Sequence, residues 1–362
     1  MSAGPGQPAD RHGEPGAGPG QPADQHGEPG AGPGQPADRH AGLSSAELTE
    51  SGGLRDLALS RGEVDRSTAR RSDAGWLEAA WASPDTRVVV VEDGQALIRF
   101  ADGEAKAELS FVAPRHAPDG VRFLLGIDAD EVVYFGVAGP LPQPDAGAGP
   151  ADPGSGTRPI SLRQAGPLLS DRDAGLMTEA VALANWHDTH THCPRDGAAT
   201  EPVLAGHARR CVNDGSEHFP RLDPAVIMLV TDPDDRCLLA RNAMWPQRRV
   251  SILAGFVEPG ESAEQAVARE VYEETGIAVG GARYVGSQPW PMPHSLMLGF
   301  RARATGSLEI TVDSDEIAEA RWFSRDELRA SIASGEIRLP PPVSIAHRII
   351  ESWYGIELDG AW

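Results

Sequence analysis

Residues 255–277 read Gly255-Phe-Val-Glu-Pro-Gly-Glu261-Ser-Ala-Glu-Gln-Ala-Val-Ala-Arg269-Glu270-Val-Tyr-Glu273-Glu274-Thr-Gly276-Ile277. Pro259-Gly260 is a turn, Ser262 with Gln265 three positions later is a capping pair, and Gly276 supplies a left-handed stop. The stretch is therefore a loop, a helix and a loop. On that helix Glu270, Glu273 and Glu274 stand at i, i+3 and i+4, so their carboxylates share one face. Like charges so placed cost an isolated helix roughly 0.2–0.5 kcal/mol per pair, and a bound cation offsets that repulsion. Hard oxygen ligands of this kind suit Mg²⁺ or Mn²⁺. An exposed acidic helix would also present a run of charge. It would not explain Gly255, Glu261 and Gly276 standing in register with Arg269 and Glu270.

The flanking text alternates with this helix. Pro224 to Thr231 and Arg236 to Ala240 are apolar strand candidates around the turn at Asp232, and a third strand leads into Gly255, which predicts an α/β sandwich for residues 223–362. Upstream, Ser72 to Trp81 has the polar start and apolar spacing of a short helix. Arg87–Val91, Ala96–Phe100, Arg122–Ile127 and Glu131–Val137 are short apolar runs between Asp-Gly turns, which makes 43–170 a small mixed domain. Pro142 to Pro159 reads as a flexible Pro/Gly/Ala-rich loop. Asp171 to His190 reads as a helix with an apolar stripe of Leu176, Ala180, Leu183 and Ala184. Residues 171–222 add a connecting segment with a doubled Cys-x-x-Asp. A 14-residue repeat starts at Gly4, Gly18 and Gly32. It has no large apolar residue to offset the entropy of ordering, so 1–42 reads as a disordered tail.

The chain carries 53 acidic against 32 basic residues, a formal charge of −21, without a basic run. That disfavours a protein that coats long nucleic acid or an anionic membrane and favours a small substrate that brings its own cations. Three scattered cysteines among 362 residues make no disulfide framework, so a reducing cytoplasm is expected. These residues show no basic n-region followed by an apolar h-region and no apolar run of bilayer length, so no address elsewhere is expected.

The 255–277 stretch resembles the box of the Nudix hydrolase family at every specified position. Ser287-Gln288-Pro289-Trp290-Pro291-Met292-Pro293-His294-Ser295 resembles the signature segment of the NADH pyrophosphatase (NAD diphosphatase) group within that family, with Met292 in place of the usual Phe. Its prolines make a stiff platform on which Gln288, Trp290 and Ser295 can meet a nucleotide by hydrogen bonds and stacking. Leu339-Pro-Pro-Pro-Val-Ser-Ile-Ala346 is similar to a substrate-side segment of the family, Glu316 to a metal-binding glutamate outside the box, and Phe219 to an aromatic that stacks on substrate. The similarity spans roughly residues 43 to 355.

The resemblance implies a Nudix-like N-terminal domain, a zinc ribbon, a catalytic Nudix α/β/α sandwich, and a homodimer. It implies hydrolysis of NAD(H) to AMP and nicotinamide mononucleotide with Mg²⁺ or Mn²⁺ on Glu270, Glu273, Glu274, Glu316 and Ala254. The metals would neutralise the pyrophosphate and acidify a bound water, while one carboxylate takes the proton. Glu273, Glu274 and Arg269 form the catalytic set, with Arg269 orienting a buried partner such as Glu261. Removal of an NAD cap from RNA 5′ ends is a related alternative, because it presents the same pyrophosphate. A catalytically dead nucleotide-sensing regulator is a rival of another class, and it should have lost box carboxylates that this chain keeps.

The ribbon departs from the family pattern. Asp196 and Asp214 stand where each knuckle would carry its second cysteine after Cys193 and Cys211. Two readings stay open: a two-sulfur, two-oxygen zinc site weaker and less selective than four thiolates, or a ribbon held by packing alone. His190, His192, His207 and His218 lie close in sequence as alternative ligands or surface residues. Cys237, flanked by Leu238 and Leu239, reads as core.

Overall fold

The computed structural model describes residues 53–101, 106–142, 156–312 and 314–358; the repeat at 4–42 lies outside them. The N-terminal half is built on strands β1 (Arg87–Val91), β2 (Gln95–Ala101), β3 (Lys106–Leu109), β4 (Val121–Ile127), β5 (Val133–Ala138) and β6 (Thr157–Ser161). They form two three-stranded sheets ordered β1-β5-β4 and β3-β2-β6. Along β1, Val89 and Val91 enter one apolar cluster while Val88 and Val90 enter another. The period-2 pleat of a run apolar at every position thus feeds two cores at once. Helix α1 (Ala74–Ala82) is capped by Asp73, which accepts from Trp76 N, one residue later than the polar start at Ser72 suggests.

The Pro142–Pro159 loop reading is corrected at its end, where β6 begins at Thr157. Among the described residues its partner is β2 alone, Leu97 opposite Pro159, and a proline is tolerated on such an edge strand. A helical turn, α2 (Leu162–Ala165), leads to α3 (Asp171–Thr189), whose N-cap Ser170 accepts from Asp173 N. Leu176, Ala180, Leu183 and Ala184 are all buried in the first cluster, as the stripe predicts.

A small antiparallel ribbon of β7 (Thr200–Val203), β8 (Ala208–Cys211) and β9 (Glu217–His218) follows. The last sheet has six strands: β10 (Asp223–Thr231), β11 (Cys237–Asn242), β12 (Leu253–Phe256), β13 (Ala278–Trp290), β14 (Ser295–Thr305) and β15 (Ile317–Phe323). Its order is β13-β14-β10-β11-β15, with β12 pairing β10. Strand β10 runs parallel to β14 from Asp223↔Ser295 to Thr231↔Arg303. Val226, Met228 and Val230 face helix α4 (Ala263–Thr275) with its Ala266, Val267 and Val271. Ile227 and Leu229 face α5 (Arg325–Ala333) and α6 (Ile345–Tyr354) through Leu328, Ile345 and Ile349. The expected α/β/α sandwich is the observed one.

Leu54 to Ser60 lean on β13. Leu54 N donates to Val285 O at 2.7 Å, and Ser60 Oγ donates to Ser287 O at 2.7 Å.

Candidate metal-binding and catalytic site

Helix α4 opens with the expected capping box, Ser262 Oγ accepting from Gln265 N and Gln265 Oε1 from Ser262 N, and closes on Gly276 at φ 71°. Fixing both ends sets the rotation of the acidic face. Arg269 organises that face. It donates Nε and Nη2 to the two oxygens of Glu261 at 2.9 and 2.8 Å, Nη1 to Glu270 and Glu273 at 2.9 Å each, and Nη2 also to Phe256 O at 2.9 Å. The fork into Glu261 holds that carboxyl below the usual carboxylate range and raises the guanidinium's own affinity for its proton.

Glu270 lies against the backbone of β12. A Cβ built on Gly255 would fall 1.9 Å from the Glu270 carboxyl carbon, so only glycine permits this approach. Burial pushes Glu270 up despite Arg269. Glu274 is 6% exposed, and its buried Oε2 has no hydrogen-bond partner among the described residues. Burial first, then the charges of Glu270, Glu316 and Glu273, push it up to about 8.

A buried, unpartnered carboxylate oxygen among like charges is costly unless a cation joins it. The oxygen-only donors fit a hard divalent ion such as Mg²⁺ or Mn²⁺. Glu273 and Glu316 are exposed, Glu316 just ahead of β15, and Ala254 is exposed on β12 beside Gly255. Phe256, 57% exposed at the end of β12, was passed over in the sequence reading. Its signal is an aromatic directly after the box glycine, where the backbone is already tied to Arg269.

The segment 287–295 forms the end of the β13–β14 hairpin, with Trp290 opposite Ser295 and Pro289 opposite Leu296. Gln288 is wholly buried, donating Nε2 to Val343 O at 2.9 Å while Oε1 accepts from Leu59 N at 3.4 Å. It positions backbone and offers no group to solvent, in contrast to the expected hydrogen bonding with a nucleotide. The half-buried Trp290 and Met292 pack on the N-terminal core, and Arg163 lies 5.2 Å from the Trp290 ring centroid. The buried Pro291 accepts from Asn185 Nδ2 at 2.8 Å. Pro293 is exposed, and His294 sits 3.1 Å from Asp223 Oδ2. A cavity of about 630 Å³ opens here, lined among others by Met292, Pro293, His294, Arg163, Asn185 and Arg221. Ala346, near the start of α6, is 1% exposed and belongs to the core. Phe219 is 62% exposed, so its ring is not part of the core.

Family similarities fall in the order of the fold: an NADH pyrophosphatase-like rudimentary NUDIX domain over residues 85–186, an NADH pyrophosphatase zinc ribbon domain over 188–219 and a NUDIX domain over 221–341. The chain is 43% identical over 313 residues to the NAD-capped RNA hydrolase NudC of Mycobacterium bovis (strain BCG / Pasteur 1173P2), an alignment covering 83% of this chain and 95% of that protein. The chain belongs to the NADH pyrophosphatase family of Nudix hydrolases. This Nudix hydrolase is also 32% identical over 338 residues to the human NAD-capped RNA hydrolase NUDT12, covering 81% of this chain and 72% of that one. A crystal structure of a NUDIX hydrolase from Nitrosomonas europaea aligns with a TM-score of 0.33 at 22% identity, over 38% of this chain and 79% of that one.

In this Nudix hydrolase the ribbon brings Cys193, Asp196, Cys211 and Asp214 together, their ligand atoms all within 4.8 Å of one another. Among the described residues no other group of three or more His, Cys, Asp or Glu is so convergent. The neighbouring histidines are occupied elsewhere: His190 with Trp186 O and Thr189 Oγ1, His192 with Thr191 Oγ1, His207 with Leu124 O, and His218 with Ser216 Oγ. Beneath the ribbon the buried Arg209 donates to Thr200 Oγ1, Thr200 O and His187 Nδ1. His187 is thereby held neutral, and burial pushes it down to about 4. All three cysteines are unpaired, and Cys237 is buried in core as expected. No helix among the described residues is long and apolar enough to cross a membrane.

Proposed function

We propose that this enzyme hydrolyses the pyrophosphate of NAD(H), adding water across the P–O–P bridge to release AMP and nicotinamide mononucleotide. The observation that carries the reading is the buried, unpartnered Oε2 of Glu274 beside Glu270, latched from outside by Arg269. Glu270, Glu274, Glu316 and Ala254 would hold Mg²⁺ or Mn²⁺. A bound divalent ion supplies charge neutralisation at the phosphates and a water of lowered pKa. Arg269 keeps Glu270 and Glu273 oriented, and Glu273, the most open of the three helix carboxylates, takes the proton of the attacking water. Phe219, Phe256 and the cavity edge at Met292–His294, with Ser295 next to it, receive the nucleotide, while Gln288 braces the hairpin that carries this edge against Leu59 and Val343, and Ala346 lies in the core. Residues 43–170, 171–222 and 223–362 act as Nudix-like, ribbon and catalytic units in a cytoplasmic homodimer.

An NAD-capped RNA end presents the same bridge, and the similarity to NAD-capped RNA hydrolases of Mycobacterium bovis and human favours it as a second substrate. The acidic chain favours contact with the cap over a long RNA footprint. Purified enzyme with Mg²⁺ or Mn²⁺ should release AMP from NADH or NAD and should be tested beside ADP-ribose, NAD-capped RNA and the Glu274→Gln variant. Absence of AMP from all of them, or full activity in the variant, overturns the reading.

A further inference from the structure

The two ribbon knuckles are near copies of one another. Cys193-Pro-Arg-Asp196-Gly197 and Cys211-Val-Asn-Asp214-Gly215 each place a left-handed glycine after the aspartate, at φ 74° and 72°. Each cysteine sulfur accepts the backbone N–H two residues on, from Arg195 and from Asn213, both at 3.4 Å. Against the four-cysteine pattern that the family resemblance implies, each knuckle carries in its second ligand position a carboxylate, of the same formal charge as a thiolate and itself a divalent-metal ligand.

The carboxylates are oriented as well as present. Asp196 accepts from Ala198 N at 3.0 Å and Asn213 Nδ2 at 2.9 Å, and its oxygens lie 3.6 and 3.7 Å from Cys211 Sγ. Asp214 Oδ1 takes Ser216 N and Oγ at 2.9 and 2.6 Å, Oδ2 lies 3.6 Å from Arg195 Nη1, and the carboxylate also meets the Cys211 thiol. A carboxylate oxygen offers about two lone pairs, so these bonds aim the groups without using them up. Burial divides the cluster: Cys193 and Cys211 are each 2% exposed, while Asp196 and Asp214 face solvent.

We propose that Cys193, Asp196, Cys211 and Asp214 bind one divalent transition-metal ion through two buried thiolates and two exposed carboxylates. Exchanging two soft donors for hard ones broadens the accepted ions toward Co²⁺, Fe²⁺ and Mn²⁺ and weakens the hold on Zn²⁺. The open carboxylate side lets the ion exchange with solvent faster than in a four-thiolate ribbon. The site is separate from the α4 carboxylates and stands whether or not the hydrolytic reading does.

The test is titration of the chelator-stripped full-length protein with Co²⁺, read by sulfur-to-cobalt charge-transfer absorption, which the oxygen-only α4 site cannot produce. One equivalent should generate the band. Cys193→Ser with Cys211→Ser should abolish it, and Asp196→Asn with Asp214→Asn should weaken Co²⁺ affinity at least tenfold. Asp196→Cys with Asp214→Cys should double the intensity per ion and slow removal by EDTA at least tenfold. A wild-type protein without the band, while the four-cysteine variant shows it, overturns the proposal. Unchanged affinity in the Asp→Asn variant overturns it equally, because the carboxylates would then not be ligands.

Discussion

Among the described residues, the acidic face of α4 and the ribbon knuckles both gather side chains of the kinds that can hold a metal, and they are built in opposite ways. On α4 every expected carboxylate is kept, yet Arg269 draws Glu261, Glu270 and Glu273 to itself while Glu274 is left buried and unpartnered. In the ribbon half the expected ligands have changed, yet the four that remain converge within 4.8 Å. Ligand identity and ligand convergence are therefore separate properties. Helix spacing supplies the first on α4. Two short hairpin turns of matching geometry supply the second in the ribbon.

The comparison is tested hardest at Glu274. Glu274→Gln should lower kcat for AMP release by about 10²-fold or more, in line with losing a carboxylate that would hold the charge-stabilising ion. The same variant should stabilise the metal-free fold. A carboxyl raised to about 8 stays protonated in the fold while the unfolded chain ionises near 4.5, so its contribution to stability declines as pH rises between those values. At neutral pH the metal-free variant should gain about 1–3 kcal/mol in denaturant unfolding, and added Mn²⁺ should stabilise wild type more than variant.

Gly255→Ala should come next. Its methyl displaces Glu270, so activity should fall about 10- to 100-fold with a stability loss of about 1–3 kcal/mol. Retained activity with unchanged Mn²⁺ affinity would show that Glu270 need not lie against β12.

The ribbon junction should respond to acid. His187 and His207 are both pushed down to about 4 by burial, from 6.5. Their depressed values give stability that is fully present above about pH 6.5 and is lost as pH falls toward 4. Equilibrium unfolding at pH 7.5, 6, 5 and 4 should show a decline of about 1–3 kcal/mol, reduced in His187→Gln. The smallest effect belongs to Gln288→Ala, which unpairs buried backbone at Leu59 and Val343. A loss of about 1–2 kcal/mol with KM changing more than kcat would fit a wall-supporting role.

Much of this was legible because it is local. The capping box, the Gly276 stop, the i, i+3, i+4 carboxylates and the alternating or continuous apolar runs depend on neighbours a few residues apart, and each appears where the sequence places it. The misjudged features depend on distant partners. Pro159 reads as loop until β2 is beside it, and Gln288 and Ala346 read as substrate contacts until Leu59, Val343 and the α6 core enclose them. Phe219 and Phe256 could be separated from core aromatics only by their exposure.

The family, the order of its three parts and the chemistry of the α4 face were determined by the sequence alone, because spacing along one helix sets which side chains share a face. Which carboxylate is buried without a partner, and whether four ligands separated by the β7–β8 turn meet, were decided by tertiary packing. Both depend on groups that come close only when β12 backs onto α4 and the two knuckles close upon each other.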